Sequence, residues 1–427
     1  MTGQDNNFQQ PLLRSGDSST LSALLSQNIV LIYITAFIIL LTYGFMLFNP
    51  VIGVDSEVAM FPTNTGITPF DIATGRWGGA FLSQLWRIVP YNPYLAIFSS
   101  LCFLGIGALL WRYVFNSAVN GFAAGASTLG SSVRNLSERC SVSAFLFCAL
   151  YITSPVWNVL MYFHPAIFFF SIMLCPIVIL LIFKGILLSR FWLIAGGALL
   201  SIFLFSIYQA LIPLLCSGVL ICFFLLLRRS AIPVIPTLLK ILCVFVAAYL
   251  LYSALDFIIK FFCDVQSSKY VSSFNNWSRS GFMDSIKHIV RVGYEILIVP
   301  FLFRDYNLYG SLMLLPCGLM FILLMLRQVL QKVQQQEQSR AAKYSVRWLY
   351  IITGLCVLGS VMLLPVLGAN RPPLRTMFSL PLVTGFIVWY IVDVWIGDIE
   401  RCKADIERCK NVEQYNNIGQ CNNIEQR

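Results

Sequence analysis

From Ile29 to residue 396 the chain alternates long apolar runs with short polar turns. Ten runs stand out, at 29–49, 94–115, 142–160, 165–183, 191–207, 211–227, 241–262, 309–326, 348–367 and 377–396. Each approaches the roughly 20 apolar residues that carry a helix across a bilayer. Lipid offers the backbone no hydrogen-bond partner, so such runs form helices that satisfy their own peptide groups. One stretch differs. Ile286 to Phe303 has apolar residues at helical spacing but mixes in Lys287, His288, Arg291 and Glu295. It predicts an interfacial or re-entrant helix rather than a span. The pattern therefore predicts an all-α integral membrane protein, a polytopic bundle of about ten transmembrane helices. A polar segment, 1–28, precedes the spanning domain 29–396, and a polar tail, 397–427, follows it. The tail holds a tandem heptad, Asp398-Ile-Glu-Arg-Cys-Lys-Ala and Asp405-Ile-Glu-Arg-Cys-Lys-Asn. Its spacing could extend a helix with i,i+4 charge pairs, but a repeat-derived, mostly disordered tail is expected.

Composition strengthens this picture. Of 427 residues, 58% are hydrophobic and 11% are charged, against about 25% charged in soluble domains. No polar stretch is long enough for a separate folded domain. The net charge of +10 does not indicate nucleic-acid binding, because the basic residues sit in short loops between apolar runs and form no patch. Their distribution gives the orientation. With both termini cytoplasmic, 19 of the 29 Lys and Arg residues fall on the cytoplasmic side, including the short loops at Lys184–Arg190 and Arg228-Arg229. That excess obeys the positive-inside rule. The segment 1–28 carries a single basic residue, Arg14, and the first run is long enough to remain as an anchor, so no cleavable signal peptide is expected. The thirteen cysteines lie mostly inside apolar runs or in the tail. With no CxxC pair, and with the only two histidines far apart, neither a zinc site nor an external disulfide framework is expected.

This topology collects the conspicuous polar residues at one face. The first external loop, 50–93, carries Asp55 and Glu57 just beyond the first span, then Gly75-Arg76-Trp77-Gly78. His164, Tyr208 and Gln209 lie at outer turns. The long loop 263–308 follows, and Arg371 and Arg375 flank Pro372-Pro373 between the last two spans. Carboxylates next to lipid are costly and suggest a task. Asp55 or Glu57 is suited to take a proton from an attacking hydroxyl, and either equally suits a solvated helix end. An Arg presents a planar fork for phosphate or carboxylate, and Trp77 a face for a sugar or for the membrane interface. Gln209 offers hydrogen bonds to a hydroxyl-rich ligand. Asp393, deep in the last run, is expected near its cytoplasmic end or paired inside the bundle. No P-loop, Rossmann fingerprint or nucleophile elbow occurs. A nucleotide-sugar donor would be met on the cytoplasmic side, where the loops are short, so a donor already in the membrane is expected. No cofactor is expected, and a divalent metal is left open.

At these residues the chain resembles the type-specific glucosyltransferases of O-antigen modification clusters, often carried by serotype-converting phages. The likeness rests on the acidic motif after the first span and the Gly75-Arg76-Trp77-Gly78 segment in the first external loop. It extends to the length, the polytopic layout and the re-entrant segment. The acidic motif reads Asp55-Ser56-Glu57, where related sequences often carry consecutive acids, which leaves open which carboxylate is the base. The resemblance implies a GT-C-like membrane transferase of the bacterial inner membrane. It would move glucose from undecaprenyl phosphate glucose to an O-antigen sugar of lipopolysaccharide on the periplasmic face, with partner proteins that make and flip the donor. By it, Asp55 and Glu57 are the catalytic candidates, and Gly75, Arg76 and Trp77 shape the site. His164, Tyr208, Gln209, Arg371 and Arg375 are added as substrate-binding candidates, the two arginines for phosphate. Other classes compete with this reading: an O-antigen polymerase, an acyltransferase built on His164, or a lipid-linked sugar carrier.

Overall fold

The computed structural model describes residues 17–49, 69–86, 92–120, 122, 132–161, 165–229, 234–268, 277, 281–298, 313–334, 341–369 and 372–425. Among these residues there are helices and turns and no strand. The long helices are α1 (Asp17–Phe48), α4 (Pro93–Val119), α5 (Ser132–Ile152), α7 (Pro165–Leu187), α8 (Phe191–Ile207), α9 (Leu211–Arg229), α10 (Val234–Phe262), α12 (Leu314–Gln334), α13 (Ala341–Gly359) and α15 (Ser379–Glu425). Short helices fill the connections: α2 (Pro69–Ala73), α3 (Trp77–Trp86), α6 (Pro155–Leu160), α11 (Phe282–Leu297) and α14 (Leu363–Gly368). Single 3₁₀ turns occupy Ser360–Met362 and Leu374–Thr376.

Nine segments among the described residues are long and apolar enough to cross a membrane, and they coincide with nine of the ten predicted runs. The tenth run is α8, with 17 residues, at the short end of the spanning range of about 17–25. Its packing shows how far it reaches. The chain leaves α7 through a turn in which Ser189 adopts φ 52° and the Arg190 amide donates to the Gly185 carbonyl at 2.8 Å. It then runs back along α7 until Tyr208, just past the end of α8, meets Phe168 in the first turn of α7, with ring centroids 5.1 Å apart. So α8 retraces nearly the whole of α7.

The bundle is built from such neighbours. α4 packs along α7, α8 along α10, α5 along α15, α9 along α13, and α1 against α4 and α5. Aromatic side chains fill the centre. Phe115 of α4 meets Phe147 of α5 and Phe386 of α15 edge-on, at 5.2 and 5.4 Å. Phe224 of α9 stacks on Tyr350 of α13 at 4.5 Å. These rings interlock by shape, since lipid supplies no hydrophobic drive between helices. The outward surfaces of α1 and α10 are apolar and exposed, as lipid-facing helices require.

The two ends of the bundle differ. At the end holding the C-terminus of α9, Arg228 pairs with Asp393 of α15 at 3.0 Å and lies over the Tyr390 ring. Tyr390 and Tyr350 join there through their hydroxyls at 2.7 Å, and Gln328 Oε1 accepts from Tyr390. Asp393 is thus paired inside the bundle. At the same end Arg327 pairs with Asp398 at 2.9 Å. Beyond it α15 continues as helix through both heptads of the tail to Glu425. Its 47 residues extend about 70 Å, more than twice a hydrocarbon core of about 30 Å.

α11 has one buried stripe, Ser285, Val292 and Ile296, while Lys287, His288 and Arg291 are exposed. It packs on α14. Its 16 residues carry the amphipathic pattern expected of an interfacial helix.

Candidate functional site

The opposite end of the bundle holds the Gly-Arg-Trp-Gly segment. α2 stops at Ala73, and the chain turns through Thr74, Gly75 and Arg76 into α3. The turn closes with the Gly75 amide on the Ile72 carbonyl at 3.0 Å and the Arg76 amide on the Asp71 carbonyl at 2.8 Å. This is a glycine-capped helix end, and Gly75 takes φ +75°, a left-handed conformation that glycine adopts without strain.

Residues far away in the chain clamp the turn. Gln209, at the hairpin between α8 and α9, donates its amide nitrogen to the Thr74 carbonyl at 3.1 Å and to the Tyr252 hydroxyl at 2.7 Å. Tyr252 of α10 in turn donates to the Gly75 carbonyl at 2.9 Å. The Ser268 amide, beyond α10, donates to the Ala73 carbonyl at 3.0 Å. Two glycines permit this approach. A Cβ on Gly75 would sit 2.6 Å from the Tyr252 oxygen and 2.8 Å from Gln209 Nε2. A Cβ on Gly78 would overlap the Ser206 hydroxyl and stand 3.2 Å from the Ser206 carbonyl carbon, so Gly78 lets α3 lie against α8. Gly75→Ala is therefore expected to lose about 2–4 kcal/mol, from left-handed strain and overpacking together. Gly79→Ala, whose Cβ would meet only ordinary contacts beginning at 3.5 Å, should be tolerated. Thermal unfolding in detergent separates the two.

The clamp positions Arg76. Its guanidinium lies over the Tyr208 ring, 4.8 Å from the centroid, a cation–π contact that holds the charge beside an aromatic wall. Tyr208 also meets Phe378 at 5.8 Å, and Phe378 stacks on Trp157 at 5.9 Å. Nε of Arg76 is buried with no hydrogen-bond partner among the described residues, and so is the indole nitrogen of Trp77.

The structure thus brings together Gly75, Arg76, Trp77, Tyr208 and Gln209. Gln209 uses its amide nitrogen to lock the turn rather than presenting it to a ligand. Arg375, half-buried, lies in the 3₁₀ turn that packs on α6, three residues before Phe378. Trp277, another residue of the long loop, donates its indole hydrogen to the Val366 carbonyl at 2.8 Å. Asp55, Glu57, His164 and Arg371 lie outside the described residues.

Two members of the cluster escaped the sequence reading. Tyr252 and Asp256 lie one turn apart on α10, and Asp256 pairs through Oδ2 with Lys260 at 2.7 Å. The signal was present, because Tyr252, Asp256 and Lys260 recur at i, i+4 and i+8 and so share a face of an otherwise apolar helix. An ionisable residue inside a spanning segment is by default a functional candidate.

Chemically, this end offers a half-buried cation, aromatic faces and a half-buried carboxylate, a set that suits a phosphate-bearing sugar. In a comparison with known protein families, the model described as Glucosyl transferase GtrII aligns with residues 44–392. No curated protein and no solved structure matches the chain.

Proposed function

The chain belongs to the GtrII glucosyl transferase family, and on that premise we propose that it moves glucose from undecaprenyl phosphate glucose to a hydroxyl of an O-antigen repeat unit. The enzyme is a membrane glycosyltransferase, and its activity is of the serotype-converting type. The observation that carries the finer reading is Arg76, a guanidinium with a buried and unpartnered Nε, on a turn clamped by Gln209 and Tyr252. A membrane donor of this class joins its sugar to the lipid through a phosphate, the group such a cation recognises. The positive-inside distribution supports a reading in which this end of the bundle faces the periplasm, both termini are cytoplasmic and the membrane is the bacterial inner membrane.

The reaction follows from these groups. The acceptor hydroxyl attacks the anomeric carbon while a carboxylate, Asp55 or Glu57, takes its proton. The bond from the anomeric carbon to the phosphate oxygen breaks, and the electron pair leaves with polyprenyl phosphate. Arg76 stabilises the charge that grows on that oxygen, with Arg371 and Arg375 as further phosphate contacts. A single displacement inverts the anomeric centre. The donor is made and turned across the membrane by separate proteins.

The test is the lipopolysaccharide of a smooth strain carrying this gene together with donor-making and donor-flipping partners. One added hexose per repeat unit, absent without the gene, is the expected result. Unchanged O-antigen in several acceptor strains, with the protein in the membrane and donor supplied, would refute the reading.

A further inference from the structure

Asp256 sits on the face of α10 that meets the Gly75 turn. Its side chain and that of Lys260 are only 18% and 16% exposed. Oδ2 accepts from the Lys260 ammonium at 2.7 Å. Oδ1 is buried and has no hydrogen-bond partner among the described residues. It stands beside Gly75, 3.3 Å from where a Cβ on that residue would lie. The next residue in the chain is Arg76, whose Nε is the buried donor without a partner. Buried polar atoms are normally satisfied, and exceptions call for an explanation. Here an unfilled acceptor and an unfilled donor flank the same glycine. Tyr252, the remaining polar group of that face, is already engaged with Gly75 and Gln209.

We propose that Asp256 is a sugar-binding residue, with Oδ1 accepting a hydrogen bond from a hydroxyl of the hexose whose phosphate lies on Arg76. The inference rests on the glycosyl-lipid reading above and deepens it. A hexosyl phosphate carries hydroxyl donors and anionic acceptors within one headgroup, which is what the two unfilled atoms require. With Oδ2 held by the Lys260 ammonium at 2.7 Å, Oδ1 is the oxygen left to accept a hydroxyl hydrogen. The glycine turn matters because a Cβ at position 75 would stand 3.3 Å from Oδ1 and crowd the approach to the carboxylate.

The experiment compares kcat/KM for polyprenyl phosphate glucose and for its singly deoxygenated glucosyl analogues, using the full-length protein, Asp256→Ala and Asp256→Asn. With the complete donor, Asp256→Ala should lose about 10- to 100-fold, the effect of removing a hydrogen bond to a charged group. One deoxy donor should show the same loss with the unaltered protein and little further loss with Asp256→Ala. Asp256→Asn keeps an acceptor oxygen in place and should recover part of the activity. It gives the same comparison should the Ala variant fail to assemble. Equal losses across every deoxy donor would mean a structural role, and no loss at all would mean no contact; either overturns the proposal. Absence of transfer by the unaltered protein from any glucosyl lipid would instead bring down the reading on which the proposal rests.

Discussion

Converting Asp55 to Asn and Glu57 to Gln together is expected to lower glucosyl transfer by about 10²–10⁴-fold, the range for removing a general base. The two carboxylates follow the end of α1 at Phe48 by seven and nine residues. A sugar hydroxyl is a weak nucleophile until its proton is taken. The phosphate leaving group needs no protonation, so a single base is enough. The amide variants keep size and polarity and remove only the basicity. Insertion and donor binding should survive, and the loss should fall on kcat. The single variants then identify the base: one should reproduce nearly the whole effect, the other little of it. Equal partial losses would point instead to two carboxylates sharing the task.

The second large effect is expected at Arg76. Arg76→Ala should reduce kcat by about 10²–10³-fold, comparable to losing one donor of a preorganised anion site. The fold should not change with it. The Arg76 backbone amide closes the turn on Asp71, and Gln209 and Tyr252 hold Thr74 and Gly75 through carbonyls, so the clamp does not use the Arg76 side chain. Arg76→Lys keeps the charge but not the planar fork or the stacking on Tyr208, and should recover only part of the rate. A rise in KM alone, with kcat intact, would show that Arg76 binds the ground state and does nothing for the leaving group. Measuring both constants for the three proteins decides the point.

Much of the architecture was legible in the sequence because the bilayer simplifies the problem. A run of about 20 apolar residues has one stable solution in lipid, a helix. Hence, among the described residues, nine runs reappear as helices long and apolar enough to span, and the tenth as α8. The ends were less legible. α10 begins at Val234, before the predicted 241, because Pro236 stands in its first turn, where a missing amide hydrogen costs nothing. α12 runs past Arg327 to Gln334, because charged residues that leave the lipid need not leave the helix. The tail departs from the expectation of disorder, since the last helix continues through both heptads to Glu425.

The site was legible only in part. Glycine, arginine and tryptophan stood out in the loop, but the reason for the first glycine did not. Its positive φ and its contact with Tyr252, 177 residues along the chain, are tertiary facts. The sequence offers Gln209 as a ligand contact but not the hold that its amide nitrogen has on the turn. Tyr252 and Asp256 were hidden inside an apolar run, where a window average conceals one acid and one hydroxyl. Reading that run at helical spacing would have exposed them.

The most direct measurement uses the purified protein in liposomes with radiolabelled undecaprenyl phosphate glucose and an O-antigen acceptor presented on the face that receives the Gly75–Trp77 turn. The account predicts that label moves covalently to the acceptor as undecaprenyl phosphate is released in equal amount, and that Arg76→Ala slows both together. Label that crosses the membrane still attached to its lipid, with no glucosylated acceptor formed, would contradict it and make the protein a carrier.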